Sequence, residues 1–131
     1  MLKKEINYTD FNGDAQKDVA YFNLTAPEVT RITMKYGIQG DLQEGISHMI
    51  ATDDGERLIE FMEDVILTSY GRRVDSGKQF IKSRKLKEEF EYSAAYAEMF
   101  AELLSDSKAM EGFTSKLFAD TSAKVATTTT D

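Results

Sequence analysis

The sequence predicts a mainly α (α+β) protein in which an N-terminal β-hairpin precedes a bundle of about five helices and a flexible Ala/Ser/Thr-rich tail. Two-residue alternation on either side of Asn12-Gly13 predicts the hairpin, and apolar residues at helical spacing between Thr25 and Phe118 predict the helices. A chain of 131 residues that is 41% hydrophobic has the size and composition of one domain. We therefore assign 1–118 to a single domain, with the hairpin at 1–24 and the helical part at 25–118, and assign 119–131 to the tail.

The hairpin prediction depends on an Asn-Gly pair between two alternating segments. Asn12-Gly13 is typical of a type I′ turn, which needs two residues with positive φ. With this pair at the tip, Ile6 faces Val19 and Tyr8 faces Lys17. That register predicts that Ile6, Tyr8, Val19 and Tyr21 share one face, which must pack on the helices or on another chain because a lone hairpin is only marginally stable.

The first predicted helix has a complete N-terminal signal. Thr25 is a favoured N-cap residue, Pro27 lies in the first turn, and Glu28 stands three residues after the cap. Apolar residues follow at helical spacing, and Gly37 ends the run.

Four further helices follow from helical periodicity. The second begins at Asp41, and the third follows Asp53-Asp54-Gly55 and ends near Tyr70-Gly71. Residues 71–82 are predicted to be a linker. Ser83 then caps a long helix that continues past Leu104, and the last helix lies around 107–118. The tail contains four consecutive threonines and is expected to be mobile.

Composition excludes several classes of protein. The net charge of -7 is that of an acidic soluble chain, and the absence of cysteine excludes disulfides, thiolate metal sites and cysteine nucleophiles. The longest apolar runs, such as Val65-Ile66-Leu67, are far shorter than the ~20 residues that span a bilayer. The N-terminus lacks the apolar region of a secretory signal. We expect a protein that has no membrane segment and stays inside the cell.

No catalytic, metal or cofactor motif is apparent. His48 is the single histidine, so neither a multi-histidine metal site nor a serine triad with a nucleophile elbow is supported. The segment 10–14 lacks the glycine and glutamate positions of an EF-hand loop, which favours a turn. The acidic cluster is best interpreted as a solvated helix face; it comprises Asp53, Asp54, Glu56, Glu60, Glu63 and Asp64. We predict no catalytic residue, no metal, no cofactor and no enzymatic activity.

One basic segment interrupts this acidic chain. Residues 71–92 contain seven basic and four acidic side chains, and aromatic residues lie among them. The acidic balance of the whole chain disfavours nucleic acid, which leaves an acidic protein surface or an ordinary solvated linker as interpretations. Tyr92 falls off the apolar stripe of the long helix and is a candidate interface anchor. The candidate partner-binding residues are Tyr70, Arg72, Arg73, Phe80 and Tyr92.

The order of several short segments resembles a known family. Tyr21-Phe22-Asn23-Leu24-Thr25 follows the hairpin, and Ser69-Tyr70-Gly71 follows the helical middle. Gly77-Lys78-Gln79-Phe80-Ile81-Lys82-Ser83 and the aromatic segment 90–96 come next. In this order and spacing, over roughly residues 5–118, the chain resembles the tail assembly chaperones of long-tailed bacteriophages and their prophages.

The resemblance implies a non-catalytic protein of the host cell cytoplasm. Such a protein would bind the phage tape measure protein, keep it soluble and help to recruit the tail tube protein. Many copies on one rod-like client would suggest head-to-tail self-association into an open helical oligomer, with the hairpin edge and the mobile tail as the candidate joints. Two alternatives stay open: a structural component retained in the virion tail, and an acidic inhibitor that mimics DNA. The second ranks last because the acidic residues follow ordinary helix faces.

Overall fold

A computed structural model describes residues 1–52 and 55–129, with side chains described as far as residue 119. It confirms the predicted α+β class, with an N-terminal hairpin and helices behind it. The elements in chain order are β1 (Leu2–Thr9), β2 (Ala15–Phe22), α1 (Ala26–Tyr36), α2 (Leu42–Thr52), α3 (Gly55–Ser69), β3 (Tyr70–Val74), β4 (Gln79–Ile81), α4 (Arg84–Glu91), α5 (Ala94–Ser105) and α6 (Ser107–Thr129).

The hairpin is present, but the predicted register is wrong by one residue. Ile6 lies opposite Asp18 and Tyr8 opposite Gln16, rather than opposite Val19 and Lys17. Because side chains alternate across a strand, the shift turns the other face of β2 towards the helices. Ala20 and Phe22 are therefore buried with Ile6, whereas Val19 is 43% exposed.

The turn explains this shift. The Gly13 amide donates to the Asp10 carbonyl at 3.0 Å, and Gly13 has a φ of 88° while Asn12 does not have a positive φ. This is the three-residue loop in which an ordinary turn precedes a left-handed glycine. The Asp10 carboxylate also accepts the amides of Asn12 and Asp14, each at 2.9 Å. These bonds, above all that from Asp14, hold the pKa of Asp10 below its ordinary value.

The segment predicted as a linker forms two more strands. β3 pairs with β2 and β4 pairs with β3, so that four antiparallel strands lie in the order β1-β2-β3-β4. Alternation in this segment is hidden because Gly71, Arg72 and Arg73 carry no apolar signal. Strand β3 therefore depends on its pairing with β2, in which Tyr21 lies opposite Gly71 and Phe22 opposite Tyr70.

The predicted long helix is two helices, so the described part of the chain contains six α-helices. α4 ends at Glu91, and the Ser93 hydroxyl accepts the Tyr96 amide at 3.1 Å as the N-cap of α5. A serine is a weak signal inside a helical pattern, because the same residue type also occurs on helix surfaces.

The predicted caps are confirmed. The Thr25 and Glu28 side chains form a reciprocal capping box at the start of α1, and Gly37 has a φ of 68° at its end. Ser83 caps α4 through the Leu86 amide at 3.1 Å.

The last helix continues beyond the predicted end of the domain. Leu117 and Phe118 are buried, and helical backbone extends to Thr129. Side chains beyond residue 119, and residues 130–131, lie outside the described part, as do Asp53 and Asp54 of the acidic cluster. The flexibility of the tail and the domain boundary at 118 stay predictions.

Phe22 joins the sheet to the helices. Its ring is fully buried and makes edge contacts with Phe113 of α6 at 5.3 Å, Tyr70 of β3 at 5.9 Å and Phe90 of α4 at 6.1 Å between centroids. Tyr70 also stacks on Phe90 with centroids 4.0 Å apart. Offset and edge contacts of this kind add to the stabilisation from burial.

We expect Phe22→Ala to lower the free energy of unfolding by about 3–5 kcal/mol, because it leaves a cavity where four elements meet. Urea denaturation followed by circular dichroism measures this. Phe11→Ala is the matched control: Phe11 is 85% exposed at the hairpin tip, and its removal should change stability by less than about 0.5 kcal/mol. If Phe22→Ala does not fold, the free energy of unfolding of Phe22→Leu should still be lower than that of the Phe11→Ala control. Equal stabilities of the two variants would contradict the assignment.

Candidate partner-binding surface

The sheet has one face on the helices and one face directed away from them. Tyr70 and Phe22 lie on the first face, where they contact Phe90. Alternation along each strand and the cross-strand partners place a second set on the opposite face. We call this second set the outer sheet face; it comprises Lys3, Glu5, Lys17, Val19, Tyr21, Gly71, Arg73 and Phe80.

Arg73 is held over an aromatic ring at the centre of the outer sheet face. Its guanidinium carbon lies 4.9 Å from the centre of the Tyr21 ring, in the geometry of a cation–π contact. A Cβ on Gly77 would lie 2.4 Å from the nearer terminal nitrogen of Arg73. The Arg73 guanidinium therefore occupies space that a side chain at position 77 would fill.

The Phe80 ring packs closely against the strand next to it. A Cβ on Gly71 would lie 2.6 Å from the Phe80 ring and 2.7 Å from the carbonyl oxygen of Ile81. Gly71 is therefore required for the close approach of β4. The result is a continuous apolar strip across three strands, formed by Val19, Tyr21, Gly71 and Phe80.

A tight turn connects β3 to β4 at the end of this strip. Asp75, Ser76 and Gly77 have φ values of 53°, 56° and 89°, and the Lys78 amide donates to the Asp75 carbonyl at 3.1 Å. Positive φ is uncommon at residues with a side chain, so this turn carries backbone strain. It brings β4 back antiparallel and presents Phe80 opposite Arg73.

The five predicted binding residues do not form one patch. Arg73 and Phe80 lie together on the outer sheet face. Arg72, adjacent in the same strand, points to the opposite side of the sheet. Tyr70 is part of the aromatic contact with Phe90, and burial raises its pKa. Tyr92 is 77% exposed at the break between α4 and α5.

The basic segment is not a single patch either. Lys82 pairs with Glu28 of the α1 capping box at 2.5 Å, and both side chains are largely covered. Arg84 lies 3.7 Å from Glu88 on the exposed surface of α4. Lys82 thus attaches the end of β4 to α1, while the remaining cations face solvent.

Sequence reasoning missed three contributors to the outer sheet face. The sequence predicts Val19 and Tyr21 on the same face as Ile6, and it carries no signal for Lys3. Tyr21 lies opposite Lys3 and Val19 opposite Glu5. The sequence does contain a signal for the correct face. Phe22 and Ala20 are two residues apart in β2, so they share a face, and both are apolar.

The described residues offer no metal-binding group of three or more His, Asp or Glu side chains. His48 is exposed, and the Asp10 carboxylate is engaged by turn amides. In the acidic cluster, Asp64 accepts the Tyr36 hydroxyl and pairs with Lys35 at 2.8 Å. None of the helices in the described ranges has the length and apolarity needed to cross a membrane.

Residues 1–128 match the family of phage tail assembly chaperones. No curated protein and no solved structure matches the chain.

We expect Gly71→Ala to lower the free energy of unfolding by about 1–3 kcal/mol, because the added Cβ overlaps the Ile81 carbonyl and the Phe80 ring. Gly112→Ala in α6 is a control of opposite sign: apart from the backbone of its own helix, no described atom lies within 4 Å of its added Cβ, and alanine favours the helix by about 0.5–1 kcal/mol. Thermal unfolding of both variants measures the difference. A Gly71→Ala protein as stable as the wild type would show that β4 is not closely packed on β3.

Proposed function

The chain belongs to the phage tail assembly chaperones, and on that premise we propose that it binds the tape measure protein, keeps it soluble and helps to recruit tail tube subunits. The observation that carries this proposal is the family match over residues 1–128. The match covers the sheet and all six helices, so the proposed role concerns the whole described fold.

The surface chemistry supports a protein that covers apolar segments of a client. Tyr92 is 77% exposed, and the outer sheet face presents an apolar strip beside Arg73. Exposed aromatic side chains next to cations are typical of protein-binding surfaces. The net charge of -7 would keep a complex of many copies dispersed. Arg73, Phe80 and Tyr92 are our candidate contacts with the client, while Tyr70 supports the surface from beneath.

The proposed role is non-catalytic and needs no cofactor, nucleic acid or membrane. Binding and release of the client would take place in the host cell cytoplasm, before the tail is complete. A structural component retained in the virion tail is the alternative, and purified particles distinguish the two.

Self-association of the chain forms part of this proposal. β1 is an edge strand of eight residues, and the Asp10 amide pairs with Asp14 at 2.9 Å. Backbone groups alternate in an antiparallel pair, so the amides of Lys3, Glu5 and Asn7 point away from β2. Such an edge accepts a further strand, and joining it to a different surface of the next copy builds an open helix.

Co-expression with the tape measure protein of the same phage tests the main proposal. We expect most of the client to move from the insoluble to the soluble fraction and to co-purify with several copies of this chain, because its apolar helices are covered. Expression of the client alone is the baseline, and Phe22→Ala is the control for a misfolded partner. A client that stays insoluble beside soluble wild-type protein would contradict the proposal, and stoichiometric recovery from purified virions would favour the structural component.

Sedimentation velocity at rising protein concentration tests self-association. We expect the wild type to form larger species, and Asn7→Pro to shift them towards the monomer because it removes one outward-pointing amide. Asn7→Ala, which keeps that amide, should sediment like the wild type. Proline is tolerated at such edge positions, so circular dichroism should be unchanged. A wild type that remains monomeric, or equal effects of both variants, would exclude the β1 edge as a joint.

A further inference from the structure

Among the described residues, the helices pack against one face of the sheet and leave the outer sheet face without a covering layer. Helices cover the opposite face, where α5 packs on β1 and α4 on β3. On the outer side, the contacts that fix Tyr21 and Phe80 come from Arg73 and Gly71 of the sheet itself. Val19 is 43% exposed there, and Tyr21 and Phe80 are half-buried. A sheet is stable with one solvated face when that face is polar, but this one carries a continuous apolar strip.

The dimensions of the strip suit one helix. The apolar strip crosses three strands, and three strands about 4.8 Å apart span roughly 10 Å between the outer two. An α-helix with its side chains is about 10–12 Å in diameter, so one helix fills this width. The Phe80 ring itself covers Gly71, so the surface offered to a helix is formed by Val19 and the rings of Tyr21 and Phe80.

The charge of this face is opposite to that of the chain. Three cations, Lys3, Lys17 and Arg73, share it with one acid, Glu5, whereas the whole chain has a net charge of -7. Lys17 lies 3.4 Å from Glu5, which neutralises that pair. Lys3 and Arg73 have no carboxylate within ion-pair distance among the described residues, and they lie on either side of Tyr21.

We propose that the outer sheet face docks an acidic amphipathic helix of the client. Its apolar stripe would cover Val19, Tyr21 and Phe80, and its flanking carboxylates would pair with Lys3 and Arg73. A basic helix of the same shape would bring further cations against these two and bind poorly. This inference rests on the proposed function only for the identity of the client; the surface and its charge preference are properties of this chain.

Two synthetic 18-residue helical peptides test the charge preference. Both carry leucine in one stripe, and the other positions are Glu in one peptide and Lys in the other. We expect the full chain to bind the labelled Glu peptide at least about tenfold more tightly than the Lys peptide, by fluorescence anisotropy at low salt. The preference should shrink at 0.5 M salt, since exposed charges are screened. Equal affinities, or a preference for the Lys peptide, would overturn the proposal.

Two adjacent arginines locate the surface. Arg73→Ser removes the cation on the outer sheet face, whereas Arg72→Ser removes one from the same strand on the opposite side. We expect Arg73→Ser to weaken binding of the Glu peptide about five- to tenfold. Arg72→Ser should change the affinity for that peptide less than about twofold. Amide chemical-shift changes on binding should centre on Tyr21, Arg73 and Phe80. Similar losses in both variants, or shift changes centred elsewhere, would overturn the assignment.

A third variant covers the case in which Arg73→Ser does not fold. Lys3→Ser removes the other unpaired cation from an exposed position of β1 and should also weaken the Glu peptide. The chaperone role and the docking surface can be refuted independently of each other. A client that stays insoluble while the Glu peptide binds at the outer sheet face refutes only the chaperone role, and a solubilised client with no peptide preference refutes only this surface.

Discussion

Burial of the Phe22 ring is the constraint on which the rest of the structure depends. The ring contacts Tyr70, Phe90 and Phe113, and so connects β2 to a third strand and to two helices that are distant in sequence. Complete removal of a phenylalanine side chain from water stabilises the fold by about 1.5–3 kcal/mol, and the ring contacts add to this. That stabilisation decides which face of β2 turns inward. The hairpin register must then be the one that places Ile6 on the same face as Phe22.

The outer sheet face is a consequence of the same choice. Once Phe22 and Ala20 point inward, Tyr21 and Val19 must point outward, because neighbouring residues of a strand face opposite sides. Arg73 then covers the Tyr21 ring, and Phe80 packs on Gly71. The surface that we assign to the client is thus fixed by the core beneath it, which gives it the rigidity that a specific docking surface requires.

The helical part is held to the sheet and to itself by a few polar contacts at its margins. Lys82 connects the end of β4 to the capping box of α1 through Glu28. On the other side of α1, Tyr36 donates to Asp64 of α3, and burial together with that bond raises the pKa of Tyr36. Lys35 pairs with the same carboxylate at 2.8 Å. Each contact joins helices or strands whose packing is otherwise apolar, and so limits how they slide over one another.

The sequence by itself determined the local features and the family resemblance. The helix ends are marked by local hydrogen bonds to residues three or four positions away, made by Thr25, Glu28, Gly37 and Ser83. The apolar spacing of α1 and α3 likewise needs no distant partner. Tertiary structure alone decided the register of β2, the pairing of β3 and β4, and the opposite directions of Arg72 and Arg73. These depend on a left-handed Gly13 inside a three-residue loop and on contacts between Phe22 and residues far along the chain. Alternation in a strand identifies two faces, but only the packed core selects the one that is buried.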